Sequence, residues 1–297
     1  MHFRSNFSGH IVAFFTVFVW GTTFISTKVL LRTFSPVEIL FIRFLLGYLA
    51  LWLVFPKKLT LASPKQEWYF AAAGLCGVTL YYLMENIALT MTLASNVGVI
   101  ISIAPFFTAV CSCLFLGEKR PGARFFIGFL ISMAGISLIS FNGSSELSLN
   151  PAGDLLSVGA AIVWAFYSTI TKKISAWGHP TVLTTRRTFF YGIVFMIPSL
   201  FFMDFHVVPE DFMSAVNMGN LIFLSFCASA MCFVTWNMAV RILGTVKTSV
   251  YIYMTPVVTT VCSALILKEP VTASAAAGIA LTLAGLFLSE DRKKDAG

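Results

Sequence analysis

The sequence predicts an all-α integral membrane protein of ten transmembrane helices, arranged as two five-helix repeats of inverted topology. Three observations lead to this prediction: the composition, the number of long apolar segments, and a repeated residue order. Of the 297 residues, 58% are hydrophobic and 11% are charged, and the mean hydropathy is +0.85. A soluble domain of this length could not cover so much apolar surface with so few polar residues.

Ten mostly apolar segments have the length that a membrane-spanning helix needs, about 17–25 residues. Short stretches with turn-forming residues separate them, such as "GEKRPG" after the fourth and "GHP" after the sixth. The first segment is too long for a signal peptide and lacks a small-residue cleavage site, which favours a retained helix. The predicted spans are 10–31, 36–56, 67–90, 94–116, 123–141, 154–172, 182–203, 218–241, 246–267 and 271–289.

Lysine and arginine residues are distributed unequally between the two sides of these spans. With a cytoplasmic N-terminus, 16 of the 20 lie on the cytoplasmic side, and the exceptions are Lys28, Arg32, Arg43 and Lys268. Because positive charge accumulates in cytoplasmic loops, the sequence predicts a multi-pass protein of the cell (inner) membrane with both termini in the cytoplasm. The net charge of +7 therefore reflects orientation and headgroup contact, and no nucleic-acid partner is expected.

The second half of the chain repeats the residue order of the first. At an offset of 144 residues, Trp20 aligns with Trp164, Lys28 with Lys172, Pro36 with Pro180 and Arg43 with Arg187. At an offset of 151, Asn86 aligns with Asn237, Pro105 with Pro256 and Glu118 with Glu269. Matches between such unlike residue types predict a tandem duplication, with one repeat over 1–146 and the other over 147–297.

Each repeat has five spans, an odd number, so the second repeat enters the membrane from the opposite face. Inverted repeats are typical of alternating-access transporters, whose substrate site lies near the midplane between the repeats. Duplication for stability alone, as in a membrane scaffold, is the simpler alternative.

Several motifs occur in this order: the "WG…K…P…R" opening, "NIAL" at the end of the third span, a proline within the fourth, and "LGE" closing it. With these motifs the chain resembles the EamA-type drug/metabolite transporter superfamily over essentially its whole length. The resemblance implies ten helices around a central cavity, lined mainly by spans 1, 3, 4, 6, 8 and 9. It also implies the movement of small metabolites and favours export.

Two tryptophans mark the middle of the membrane. Trp20 and Trp164 each lie about ten residues into a span, which at 1.5 Å per residue is near the midplane rather than at the headgroups. They either fill the core or face a cavity and stack on an apolar solute. In the cavity interpretation, the predicted substrate-binding residues are Trp20, Phe24, Tyr82, Asn86, Ser102, Trp164, Tyr167, Phe233, Asn237 and Tyr253.

Prolines and small residues indicate special features within the spans. Pro105 and Pro256 each remove a backbone donor in mid-span and predict a helix kink, either static or acting as a hinge. The small-residue runs "GFLISMAG" and "ASAAAGIALTLAG" indicate faces where helices pack closely in lipid.

Glu85 is a carboxylate deep in the third span, where a charge costs about 2.5–3.5 kcal/mol on insertion scales. Intramembrane charges usually pair, and Lys28 and Arg43 are expected at comparable depth. Either Glu85 forms a structural ion pair with Lys28 or Arg43, or these residues gate the site and couple it to substrate or a proton. The second repeat has Trp236 at the position of Glu85, so any such role is one-sided.

The predicted function is a secondary transporter that exports a small amphipathic or aromatic solute, an amino acid being the first example, by alternating access. A membrane-embedded enzyme and a channel are the alternatives. The four histidines lie far apart at segment ends and the six cysteines lie within apolar runs without metal-ligand spacing. We therefore expect no catalytic residues, metal site or cofactor, and the partners are a small-molecule substrate and the lipid bilayer.

Overall fold

Helices joined by turns make up the part of the chain that the structure, a computed structural model, describes: residues 2–92, 94–140, 150–206, 208–266 and 272–289. No strand occurs within these ranges. Lys268, Glu269 and the basic residues after Asp291, on which the predicted orientation and repeat alignment partly depend, lie outside them. The α-helices are α1 (His2–Leu30), α2 (Pro36–Val54), α3 (Gln66–Gly74), α4 (Tyr81–Met91), α5 (Ala94–Ile101), α6 (Ala104–Leu116), α7 (Ala123–Ser140), α8 (Pro151–Ser175), α9 (Thr181–Phe202), α10 (Ala215–Ile222), α11 (Cys232–Leu243), α12 (Thr245–Ser249), α13 (Met254–Ile266) and α14 (Ala273–Ser289).

Six helical stretches within the described residues are long and apolar enough to cross a bilayer. Large apolar side chains such as Leu53, Leu114 and Phe202 are exposed, as expected for a surface that faces lipid rather than water. The chain is therefore a multi-pass membrane protein. The six stretches are Phe7–Leu30, Pro36–Val54, Gln66–Met91, Val97–Leu116, Pro151–Ser175 and Ala215–Leu243, and shorter apolar helices span Ala123–Ile139 and Ala273–Ser289.

Two of the long stretches contain a π-helical segment. Leu75–Leu80 joins α3 to α4, and Phe223–Met231 joins α10 to α11. When the first segment is shifted by the 151-residue offset of the repeat, it falls within the second. The wider turn rotates the residues that follow, so α4 and α11 present faces that a continuous α-helix would not present.

The α-helices are interrupted at matching places in the two halves, just before Pro105 and Pro256. The chain turns at Ser102 and Ile103 before α6, whose second residue is Pro105. A 3-10 turn over Val250–Tyr253 precedes α13, whose third residue is Pro256. Both prolines lie near the start of a helix, where the missing N–H is tolerated.

Glycines allow α7 and α14 to pack closely. A Cβ atom at Gly128 or Gly135 would overlap the backbone of α14, and one at Gly278 or Gly285 would overlap α7. This confirms the prediction from the small-residue runs that these helices approach backbone to backbone.

The loops gather at two opposite ends of the helix bundle. At the first, the Ser35 end, the Ser35 hydroxyl donates to the Asp204 carbonyl and the Asn150 amide donates to the Met91 carbonyl. At the second, the Phe55 end, Arg186 donates to the carbonyls of Phe55 and Lys57. Helices therefore run alternately between the two ends, with the core cluster of aromatic residues between them.

Candidate substrate cavity

A cavity of about 40 Å³ lies between α1, α4, α5, α8 and the turn before α13. Five of its twelve lining residues are aromatic and one, Glu85, is charged. The tryptophans meet at its base, with the rings of Trp20 and Trp164 edge to face at 5.3 Å. The lining residues are Trp20, Thr23, Phe24, Tyr81, Tyr82, Glu85, Gly98, Ile101, Ser102, Trp164, Ile252 and Thr255.

Glu85 is 4% exposed and its carboxylate borders this cavity. The Tyr81 hydroxyl and the Arg43 guanidinium are the polar groups that act electrostatically on the carboxylate. Glu85 Oε2 has no hydrogen-bond partner among the described residues. A buried acceptor of this kind is costly unless a donor reaches it, so the carboxylate is poised to accept one.

Arg43 is 1% exposed and lies behind the cavity wall rather than in it. Its Nε donates to the Ser229 hydroxyl at 2.9 Å, and its guanidinium carbon stacks over the Tyr82 ring at 4.5 Å from the centroid. Arg43 and Glu85 interact through charge without a direct ion pair; within the described ranges the direct pair joins Arg187 and Glu67. Tyr82 thus contacts both the cation and the cavity.

Buried aromatic rings close the cavity on the side of the Phe55 end. Tyr167, Phe233 and Trp236, which we call the aromatic floor, have no exposed surface. Trp236 contacts Trp20 with ring centroids 5.1 Å apart, and Tyr167 contacts Trp164 at 5.0 Å. A Cβ atom at position 77 would overlap the Tyr167 ring, so glycine is required beside this part of the floor.

A second, smaller cavity lies beyond the aromatic floor, toward the Phe55 end. Asn237 links the floor to it: its Oδ1 accepts from the Tyr167 hydroxyl at 2.7 Å, and its Nδ2 donates to the Thr185 hydroxyl at 3.0 Å. Hydroxyl groups dominate its wall, in contrast to the aromatic first cavity. The lining residues are Thr171, Ile174, Ser175, His179, Thr181, Thr184, Thr188, Asn237 and Arg241.

The structure brings six of the predicted residues together around the first cavity: Trp20, Phe24, Tyr82, Glu85, Ser102 and Trp164. Tyr167 and Phe233 lie in the floor beneath them, and Asn237 borders the second cavity. Asn86 is buried outside both cavities, with its amide donating to the Pro36 carbonyl at 3.1 Å.

Two predicted positions differ from the expectation. Tyr253 does not face the cavity; it packs in a separate apolar cluster with Phe125 and Leu286, because the 3-10 turn directs Ile252 toward the cavity instead. Lys28 is exposed near the end of α1, since the face of this helix that carries Thr23 and Thr27 turns inward. In this conformation Lys28 is therefore not a neighbour of Glu85.

Tyr81, Thr23 and Thr255 were missed by the sequence argument. Tyr81 lies one turn before Glu85 and could have been found by that i, i+4 spacing. Thr23 could likewise have been found by its i+3 spacing from Trp20. Thr255 has no such signal, because its orientation depends on the 3-10 turn before it.

Together, these features define a class: a multi-pass α-helical membrane protein with a small aromatic cavity among its helices. Within the described residues, no three or more His, Cys, Asp and Glu side chains come together as a metal site would require.

The chain belongs to the EamA-like transporter family, whose profile matches it twice, over residues 7–141 and 151–290. It is 29% identical over 289 residues to an uncharacterized transporter of Archaeoglobus fulgidus, covering 96% of this chain and 98% of the relative. It is 27% identical to a probable terminal-alkyne amino-acid exporter of Streptantibioticus cattleyicolor, over 75% and 72% of the two chains.

A solved crystal structure of a protein shares the fold. It superimposes with a TM-score of 0.75 and is 18% identical, covering 95% of this chain and 96% of that one. At this identity the likeness concerns the fold alone.

Proposed function

We propose that the chain is a secondary transporter that moves a small amphipathic solute with an aromatic or apolar part by alternating access. The observation that supports this most strongly is the aromatic cavity with its single carboxylate, buried at mid-bundle. Aromatic rings suit a planar or apolar solute, and a few polar groups orient it. An amino acid or a related metabolite is the first candidate, and export is favoured because one relative is named an exporter.

The transport mechanism we propose rests on ten spans in two inverted repeats, 1–146 and 147–297. The family profile matches each half of the chain once, which supports the duplication. Helix contacts also support it, because they recur with the halves exchanged: α4 packs on α8 as α11 packs on α1, and α6 packs on α8 as α13 packs on α1. Such an exchange is what a pseudo-two-fold axis between inverted repeats produces.

The cavities favour an occluded conformation. A volume of about 40 Å³ accommodates on the order of three water molecules, which is too little for an aromatic solute. The solute-bound form therefore needs the helices to separate at one end, and the aromatic floor is the barrier on the side of the Phe55 end. Opening at either end in turn is the movement that alternating access requires.

The orientation follows from the charge distribution, with the termini and the Phe55 end in the cytoplasm and the Ser35 end outside. Reporter fusions at Gly297 and within 142–153 test it. We expect a cytoplasmic signal from the first and an exterior signal from the second. The reverse pattern would contradict the orientation while leaving the cavity unaffected.

Transport itself is tested with purified protein in liposomes. Uptake and efflux are measured for a panel of aromatic and aliphatic amino acids, their amines, nucleotides and sugar nucleotides, with protein-free liposomes as the control. We expect flux of at least one aromatic solute. Flux of a sugar nucleotide with no response to any aromatic solute would contradict the proposed substrate class.

A further inference from the structure

The charges around the first cavity are not balanced at its surface. Of the described residues that line it, Glu85 alone carries a charge, and the cation that acts on Glu85, Arg43, lies outside the lining and stacks on the ring of Tyr82. A carboxylate group on a solute would therefore meet aromatic rings, hydroxyl groups and the negative charge of Glu85. A cationic group would meet a carboxylate oxygen that has no other hydrogen-bond partner.

The aromatic walls of the cavity also favour a cationic solute. The faces of tryptophan and tyrosine rings attract an ammonium group, and the attraction is strongest where water is excluded. Trp20, Tyr81, Tyr82 and Trp164 all border the same small space as Glu85. The Trp164 Nε1–H is buried without an acceptor, so it can bind a neutral oxygen or nitrogen of the same solute.

Building on the transporter function proposed above, we infer that the first cavity binds a monocationic aromatic amine, with its ammonium group on Glu85 and its ring among the tryptophans. The free amino acid with the same side chain is the poorer ligand, because its carboxylate has no cation to bind in the described wall. The site thus selects solutes by charge as well as by ring.

Three probes that share an indole ring separate charge from shape: tryptamine, a cation; tryptophol, neutral; and tryptophan, a zwitterion. Binding of each labelled probe to the purified protein is measured by equilibrium dialysis. We expect tryptamine to bind the unmodified protein about tenfold more tightly than either of the others. This comparison needs no variant, so it stands whether or not a substituted protein folds.

Substitutions of Glu85 then test whether this residue causes the preference for the cation. Glu85→Gln keeps the shape and removes the charge, and it should reduce tryptamine binding about tenfold and tryptophol binding by a smaller factor, so that the preference for the cation is lost. Glu85→Asp should retain the preference for the cation. Glu210→Gln, the same chemical change at an exposed position, is the matched control and should change nothing.

Equal or tighter binding of tryptophan by the unmodified protein would overturn the inference, and so would a tryptamine preference that survives Glu85→Gln. Neither result would contradict the transporter proposal, which is tested separately by flux. Absence of binding by all three probes would also overturn the inference.

Discussion

The hydrogen bond between Tyr167 and Asn237 is expected to hold the Phe55 end closed. Tyr167→Phe removes the hydroxyl that donates to Asn237 Oδ1 at 2.7 Å and leaves a buried acceptor unpaired. The penalty for an unpaired buried group is about 1–3 kcal/mol, but hydrogen bonds inside membrane proteins average about 0.6 and reach about 1.7 kcal/mol. We take about 1 kcal/mol, which shifts the equilibrium between closed and open forms about fivefold toward opening.

The assay is the reactivity of a cysteine in the second cavity. Thr188 borders that cavity and is 3% exposed, so Thr188→Cys in a background without the six native cysteines reports opening at the Phe55 end. With Tyr167→Phe added, the rate of maleimide labelling should rise about fivefold. Tyr191→Phe is the control, since it removes a hydroxyl that donates to Glu67 and that lines neither cavity.

An unchanged or slower labelling rate in folded Tyr167→Phe protein would refute the role of this hydrogen bond. A rise of the same size with Tyr191→Phe would also refute it, because the effect would then be a general loosening of the bundle.

Three further predictions concern the cavity, the buried charges and the helix packing. Trp164→Leu should raise the KM for an aromatic solute about 2- to 10-fold in flux assays, whereas Trp68→Leu, at an exposed site, should not. Arg43→Met and Glu85→Gln should each lower the melting temperature. The double variant should lose about 0.5–3 kcal/mol less free energy of unfolding than the two single variants lose in sum, and additive losses would exclude coupling between the two residues. Gly135→Leu should destabilise the α7–α14 contact by about 1–3 kcal/mol, measured by thermal unfolding, and an unchanged melting temperature would contradict the close packing.

Apolar length and composition predicted the membrane helices because these quantities depend on the bilayer and not on tertiary detail. They could not predict the π-helical segments of Leu75–Leu80 and Phe223–Met231, which change the rotation of α4 and α11 by local backbone geometry. Tyr81 lies on the same wall as Tyr82 and Glu85 and was missed for a different reason, since its i, i+4 spacing from Glu85 was present in the sequence and was not used.

The cavity lining was predicted best where the depth of a residue along its helix determines its position. It was predicted least well where the rotation of the residue about the helix axis determines it. Trp20 and Trp164 were placed at mid-span by counting residues, and their rings are in contact. Tyr253 was placed by analogy with Ser102, but the 3-10 turn gives the two positions different surroundings. Depth also suggested Lys28 as a partner of Glu85, although its direction around α1 takes it to the surface.

Counterflow tests the central claim, alternating access through the cavity, most directly. Liposomes containing the protein are loaded with an unlabelled aromatic solute that the flux panel shows to be carried, and are then diluted into a trace of the labelled solute. A carrier that releases unlabelled solute outside can bind labelled solute there and carry it inward. We therefore predict that the labelled solute accumulates transiently inside the liposomes above its outside concentration, and only when the liposomes are loaded. Equilibration without this overshoot, at a rate unaffected by loading, would contradict alternating access and indicate a channel.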